Sequence, residues 1–381
     1  MNFDNFWEVA MKRLTALLLI VVFSTAAFAQ TYGSMRLIHT QTGRTFTKGR
    51  LDVNTNLSFF TKLGEYIGTP PPNFSASNMW LITNNIVFTY GILDNLDVTA
   101  AIRMYQDTHY SNEYNLPDDI FLNIKAASFA FGDRHFYGGG ILKFRFGTGE
   151  VANYPFQEYS SGGIEYGVMG VLSYHADQYL PDRDFSAHLN VGWYTHNDAG
   201  KEVYPGQKAG LNATELQFGL GFVYPVGEID FMLEANGINY IDQPDTMVYS
   251  RESWLYVTPS IRYKPYHWFS ADVGVDISLA SDNNTTIVRR DPRVNLDLPT
   301  YASWRAYIGL NFKILPIGSG ARTPEEVERD RFNQRIDFFQ NIIEERERAE
   351  KVQEELDRLK REREEAEKEL EELKQVLEEE G

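Results

Sequence analysis

The stretch Met11–Ala29 decides which surroundings the rest of this chain must fold in. It opens with Lys12 and Arg13, runs through apolar residues from Leu14 to Phe23, and closes on the small-x-small triplet Ala27-Phe28-Ala29. A basic start, an apolar middle and a small-residue end make a secretory signal peptide, with cleavage expected before Gln30. Residues 1–10 read as an upstream extension of it. Everything from Gln30 onward is therefore expected outside the cytoplasm. No later segment holds the roughly 20 consecutive apolar residues that a membrane-spanning helix needs. If the exported chain crosses a membrane, it must do so with strands.

Strands are what the next part of the sequence encodes. Twelve stretches between about residues 46 and 314 alternate apolar and polar residues with period two. In one, Ile164, Tyr166, Val168, Leu172 and Tyr174 share a face; in another, Phe269, Ala271, Val273, Val275 and Ile277 do. The connections between the stretches alternate as well. Those after the second, fourth, eighth and tenth are tight turns such as Asp94-Asn95 and Gly227-Glu228, and the one after the sixth is somewhat longer. Those after the odd-numbered stretches are long and polar. Bacterial outer-membrane barrels have short periplasmic turns and long outer loops, whereas a secreted β-sandwich, the alternative, has no reason to alternate. The expected fold is all-β and transmembrane: a twelve-stranded antiparallel outer-membrane β-barrel over residues 46–314. Residues 30–45 are expected to be a periplasmic segment ahead of it. An even strand number puts both barrel ends on the periplasmic side. Aromatic residues collect near strand ends, with Trp193-Tyr194, Trp254, Tyr256 and Tyr301 toward the outer side and Tyr174, Tyr224, Tyr263 and Trp268-Phe269 toward the inner, as expected of interfacial girdles.

Composition narrows the function classes. Aromatic residues make up 14% of the 381 residues, with 22 Tyr and 25 Phe, which suits a barrel with girdles. The mean hydropathy of −0.37 is compatible with that fold, because only alternate strand residues meet lipid. There is no cysteine, so disulfides, thiolate metal sites and a lipidated N-terminal Cys are excluded. A net charge of −17 argues against nucleic acid as a partner.

The closing strand, Tyr307-Ile308-Gly309-Leu310-Asn311-Phe312-Lys313-Ile314, resembles the assembly signal of outer-membrane barrel proteins: a glycine, an aromatic three residues on, and a terminal apolar residue. The last position is usually aromatic in that signal and is Ile314 here. The resemblance implies recognition by the barrel-assembly machinery. The phrase Tyr90-Gly91-Ile92-Leu93-Asp94-Asn95-Leu96-Asp97-Val98 is loosely similar to a hairpin of several porin-like families, among them the phenol-degradation family of barrels. It is too common to fix a substrate.

After the linker 315–323 the pattern changes to helical. Thr323, Pro324 and Glu326 form a capping box with a first-turn proline. Ile342, Ala349, Val352, Leu356, Leu359, Ala366, Leu370, Leu373 and Leu377 then keep a three-four spacing. Residues 324–381 are expected to be a helical coiled-coil tail in the periplasm, about 80 Å long at 1.5 Å per residue, that joins copies of the chain. Glu345 and Arg363 fall in the seam and weaken it. The alternative is a lone charged helix held by i,i+4 pairs. The tail after Gly320 carries 13 basic and 22 acidic residues, about half of the acidic excess.

No catalytic signature and no cofactor motif is present: there is no G-x-S-x-G, no H-E-x-x-H and no phosphate loop, so no enzymatic activity and no metal are expected. Ser186, His188 and Asn190 invite comparison with barrel lipases, but at i, i+2, i+4 on one face they are expected to lie too far apart to act as a triad. The interior charges carry more. With the apolar face outward, Arg103, Lys125, Lys143 and Arg145 point into the lumen on one side, and Asp230, Glu234, Asp272 and Asp276 on the other, with Arg262 and Arg305 among the acidic strands. A basic wall opposite an acidic one would polarise an aqueous pore. The same charges could instead pair and fill a narrow barrel. Two functions follow from these alternatives. One is a passive outer-membrane channel for small polar solutes. The other is a structural barrel that anchors the envelope while its tail binds the cell wall or a partner. Outer-membrane lipid surrounds the barrel in both.

Overall fold

The computed structural model describes residues 35–65, 76–108, 118–149, 153, 156–178, 181–204, 206–280, 285–286 and 301–316, and within the tail 339, 342–343, 346–364 and 366–367. The expected signal peptide and most of the expected linker lie outside these residues. The chain divides into two units, Met1–Pro316 and Ile317–Gly381.

All twelve alternating stretches form strands. They are β1 (Leu51–Glu65), β2 (Ala76–Leu93), β3 (Leu96–Thr108), β4 (Asp119–Phe131), β5 (Phe136–Gly147), β6 (Ile164–His175), β7 (Ser186–Thr195), β10 (Thr214–Val226), β11 (Ile229–Asp242), β12 (Trp254–Tyr266), β13 (Phe269–Ser278) and β14 (Trp304–Leu315). Two short strands between β7 and β10, β8 (Glu202–Tyr204) and β9 (Gln207–Lys208), form a separate hairpin, which periodicity over so few residues cannot reveal. Each barrel strand pairs antiparallel with its neighbours. First meets last, with Val53 opposite Phe312, and β7 lies beside β10, closing the sheet into a twelve-strand barrel.

Sequence parity becomes inside and outside. Every second residue of β6, from Ile164 to Tyr174, is exposed, while Glu165, Met169, Val171, Ser173 and His175 are buried. Val168, Leu142 and Val273 are 50%, 47% and 57% exposed, and they belong to an apolar outer surface that only lipid would cover. Among the described residues no helix is long and apolar enough to cross a membrane; the strands carry that role. Tyr174, Tyr224, Tyr263 and Trp268 face outward near the short-turn end and Trp193 near the other, as the girdle reading requires. Tyr194 does not, being buried with its hydroxyl 3.2 Å from Glu165, and neither do Trp254 and Tyr256. They are buried, packed with Ile238 and Tyr240, and the Tyr256 hydroxyl donates to the Ala302 carbonyl at 2.6 Å. Both occupy inward positions beneath the long connections, whose backbone gives the Tyr256 hydroxyl a partner that lipid would not.

Described residues of those connections pack on one another at the long-loop end. Asn153 makes two hydrogen bonds to the backbone of Tyr249, and Tyr159 packs with Ala213 and Val248. In the tail, residues 346–364 are helical.

Candidate functional site

The lumen is not empty. The segment expected to be periplasmic, residues 30–45, is corrected by the structure in its described part. Residues 35–46 lie inside the barrel, and the first barrel strand starts at Leu51. They fold into a hairpin in which the Leu37 N–H donates to the Thr40 carbonyl and the Thr42 N–H to the Met35 carbonyl. The physical reason is polar satisfaction. A segment in a lumen must pair its backbone, and the wall supplies acceptors. Glu234 accepts from the N–H groups of Ile38, His39 and Thr40 at 2.8, 3.0 and 2.6 Å. Asn190 exchanges two hydrogen bonds of 2.7 Å with the backbone of Gln41. Farther along, Gly43 donates to Ser173, Thr45 to Ser128 and Phe46 to Asp97. The His39 ring nitrogen lies 2.8 Å from Asp276 Oδ1.

The wall makes room for the tip. A Cβ at Gly221 would stand 2.7 Å from Leu37 Cδ2, one at Gly219 3.0 Å from Thr40 Cγ2, and one at Gly274 2.5 Å from Ile38 Cδ1. All three glycines occupy inward positions of β10 and β13. That is the signal in the sequence by which a lumenal segment could have been found: lumen positions with no side chain to fill them.

All ten charges expected at the lumen face inward, and each has a local partner. On the basic side, Arg103 meets Asp118 at 2.9 Å, Arg145 donates to Asp119 at 2.8 Å and lies 3.6 Å from Glu165, and Lys143 donates to Gln217 at 2.6 Å. Lys125 reaches Oε1 of Gln41 in the hairpin at 3.3 Å. On the acidic side, Asp230 meets Lys264 at 2.6 Å, Asp272 meets Arg262 at 2.7 Å and Asp276 meets Arg305 at 3.0 Å. The arginines and aspartates among them form ion pairs close to where they stand, and Lys125, Lys143 and Glu234 have neutral hydrogen-bond partners. Sequence reasoning missed Asp118, Asp119 and His196 as partners near the long-loop end. His196 lies 3.2 Å from Glu165 and 3.5 Å from Glu215, near enough for ion pairing without aligned hydrogen bonds. Burial lowers the affinity of His196 for its proton, but the two carboxylates outweigh it and raise its pKa to about 10.

The lipase comparison also resolves. Ser186 Oγ does reach His188 Nε2, at 3.1 Å, contrary to the expected separation, because two side chains on one strand face can lean together. The ring's other nitrogen meets Ser173 at 2.6 Å and Asn190 holds Gln41, so the three residues serve the wall and the hairpin and do not form a triad.

Two cavities flank the hairpin tip. One of about 540 Å³ opens at the short-turn end and is lined by Arg36, Arg44, Arg50, Lys264, Lys313 and others. The second, of about 30 Å³, lies among Lys143, Arg145, Tyr159, His196 and Gln217, room for a water or so. On β10, Val223 and Pro225 line the first and Glu215 and Gln217 the second, while Gly219 and Gly221 between them touch the hairpin. The tip therefore lies between the two cavities. Among the described residues no group of three or more His, Asp and Glu could hold a metal ion.

A closed antiparallel barrel with an apolar outside and a polar inside is the architecture of an outer-membrane β-barrel, and that is the class of this protein. No family model and no curated protein matches the chain. Among solved structures, the NanC porin aligns with 69% of this chain and 100% of its own at 12% identity and a TM-score of 0.43. An outer-membrane channel from Pseudomonas putida F1 aligns with 71% of this chain and 97% of its own at 10% identity, TM-score 0.43. The outer-membrane channel DcaP of Acinetobacter baumannii aligns over 71% and 99% at 7% identity, TM-score 0.31.

Proposed function

We propose that this barrel is an outer-membrane passage for small polar solutes, closed in the described conformation by the hairpin of residues 35–46. One observation carries the reading: what lies between the two lumenal cavities is a segment of chain ahead of the first strand, while the wall behind it is polar. The segment pairs with no strand of the barrel sheet and can leave without unmaking any strand pair. Its hydrogen bonds are each worth about 1 kcal/mol net where water replaces the lost partner, so withdrawal exchanges partners rather than abandoning them. The ten wall charges would then line the open route. In this reading the long connections face outward, and the short turns, the hairpin and the tail face the periplasm. The leader at residues 11–29 directs export, and the closing strand is recognised during assembly.

The local pairing of the wall charges favours the second reading, a structural barrel whose lumen never opens and whose coiled-coil tail holds copies of the chain or another envelope component. Single-channel recording in planar bilayers separates the two. Removal of residues 30–46 should turn a largely silent barrel into one with steady conductance. An assembled barrel that stays silent after this deletion would leave only the anchoring role.

A further inference from the structure

The hairpin holds the wall chiefly by donating. Three backbone N–H groups converge on Glu234, one reaches Asn190 Oδ1, and the His39 ring reaches Asp276. A primary ammonium group carries three N–H donors on one nitrogen, the same number that the tip brings to the single carboxylate of Glu234. We propose that, once the hairpin withdraws, Glu234, with Asn190 and Asp276, forms a mid-lumen binding site for small solutes bearing a primary ammonium group and makes the open barrel prefer cations. This rests on the passage reading above and names the solute class for it.

Glu234 stands apart because of what each group keeps. Asp276 retains Arg305 at 3.0 Å and Thr258 at 2.7 Å. Asp272 retains Arg262, and Asp230 retains Lys264. Asp97 faces Lys125 across the β3–β4 pair. Lys125 and Arg262 each give up an acceptor on the hairpin, yet each keeps a carboxylate beside it. Glu234 gives up three donors at once. It is only 1% exposed, lies level with the tip, and faces Thr258 in register. A carboxylate that loses its donors must regain them from water or from a solute. A solute that brings a positive charge along with its donors also gains the Coulomb attraction.

The test uses barrels opened in two ways: by removing residues 30–46, and in the full chain by Thr40→Pro, which deletes the shortest donor to Glu234. In a KCl gradient the reversal potential should report a preference for K⁺ over Cl⁻, and millimolar 1,4-diaminobutane should interrupt the K⁺ current. Glu234→Gln placed on the opened barrel should weaken both about fivefold, the effect of one unit charge at about 4 Å in water. An open barrel that prefers Cl⁻, or whose selectivity and diamine block ignore Glu234→Gln, overturns the site and leaves the passage reading intact. If both opened forms are silent although heat-modifiable gel migration shows them assembled, the passage reading fails and the site falls with it.

Discussion

At the scale of single residues, the position along a strand decides which solvent a side chain meets. Val273 is 57% exposed, and its register partners Ile261 and Ile308 are 46% and 53% exposed, so all three belong to the outer apolar band. Its neighbour Asp272 is buried and bound to Arg262. Val273→Arg places a cation against hydrocarbon and should cost about 2–4 kcal/mol near the membrane midplane. The expected outcome is a clear loss of heat-modifiable, urea-resistant barrel, whereas Val273→Ile should match wild type. A Val273→Arg protein that assembles and resists urea as the wild type does would show the outer face assigned to the wrong parity. Period two alone was enough to put the ten charges inside. It was not enough to name their partners, because pairing depends on register between strands and on loops. Asp272 with Arg262 and Asp276 with Arg305 are directly opposed residues. Arg103, by contrast, meets Asp118, which lies just ahead of β4.

At the scale of elements, the strands were legible and the hairpin was not, for one physical reason. A strand in a barrel wall must show lipid one face and the lumen the other, and that demand is written into alternate residues. Residues 35–46 meet no lipid. Their hold on the wall comes mostly from backbone N–H groups, which every residue but proline possesses, so almost any polar sequence could make those bonds. Only the inward glycines 219, 221 and 274 betray the segment. They also offer a way to control it. A Cβ at Gly221 would stand 3.3 Å from Thr40 Cβ, close to the roughly 3.5–4.5 Å that a disulfide spans, and the chain has no cysteine of its own. Thr40→Cys with Gly221→Cys should oxidise to a hairpin fixed in the lumen. In bilayers the oxidised protein should show no voltage-driven openings, and dithiothreitol should restore those of the reduced form. Openings of the same frequency and size before and after reduction, in protein whose cross-link is verified by mass, would mean that the hairpin does not control the passage.

At the scale of the whole molecule, the barrel's exposed apolar face suits lipid, while the tail's exposed apolar stripe has no such cover among the described residues. The helical residues 346–364 carry Val352, Leu356 and Leu359 at 60%, 43% and 62% exposure, part of the stripe on which the coiled-coil expectation rests; Leu370, Leu373 and Leu377 lie outside the described residues. The lone-helix alternative depends on pairs such as Arg358–Glu362 at 2.9 Å and Arg363–Glu367 at 2.8 Å. Exposed i,i+4 pairs contribute about 0.3–0.5 kcal/mol each, enough to bias a helix and too little to explain an apolar stripe left in water. Burying each leucine between partner helices would contribute about 1.5–3 kcal/mol. Summed over four or five heptads, this can exceed an association cost of about 4–15 kcal/mol. A peptide spanning Thr323 to Gly381 is therefore expected to sediment as a dimer or trimer whose helicity rises with concentration. Leu356→Asp with Leu370→Asp should return it to monomer, and in the full protein should release single barrels that remain inserted. Because the seam also holds Arg363, the association should strengthen when that residue becomes leucine. A peptide that stays monomeric at high concentration, with helicity independent of dilution, would leave the tail as a single charged helix and end the case for joining barrels through it.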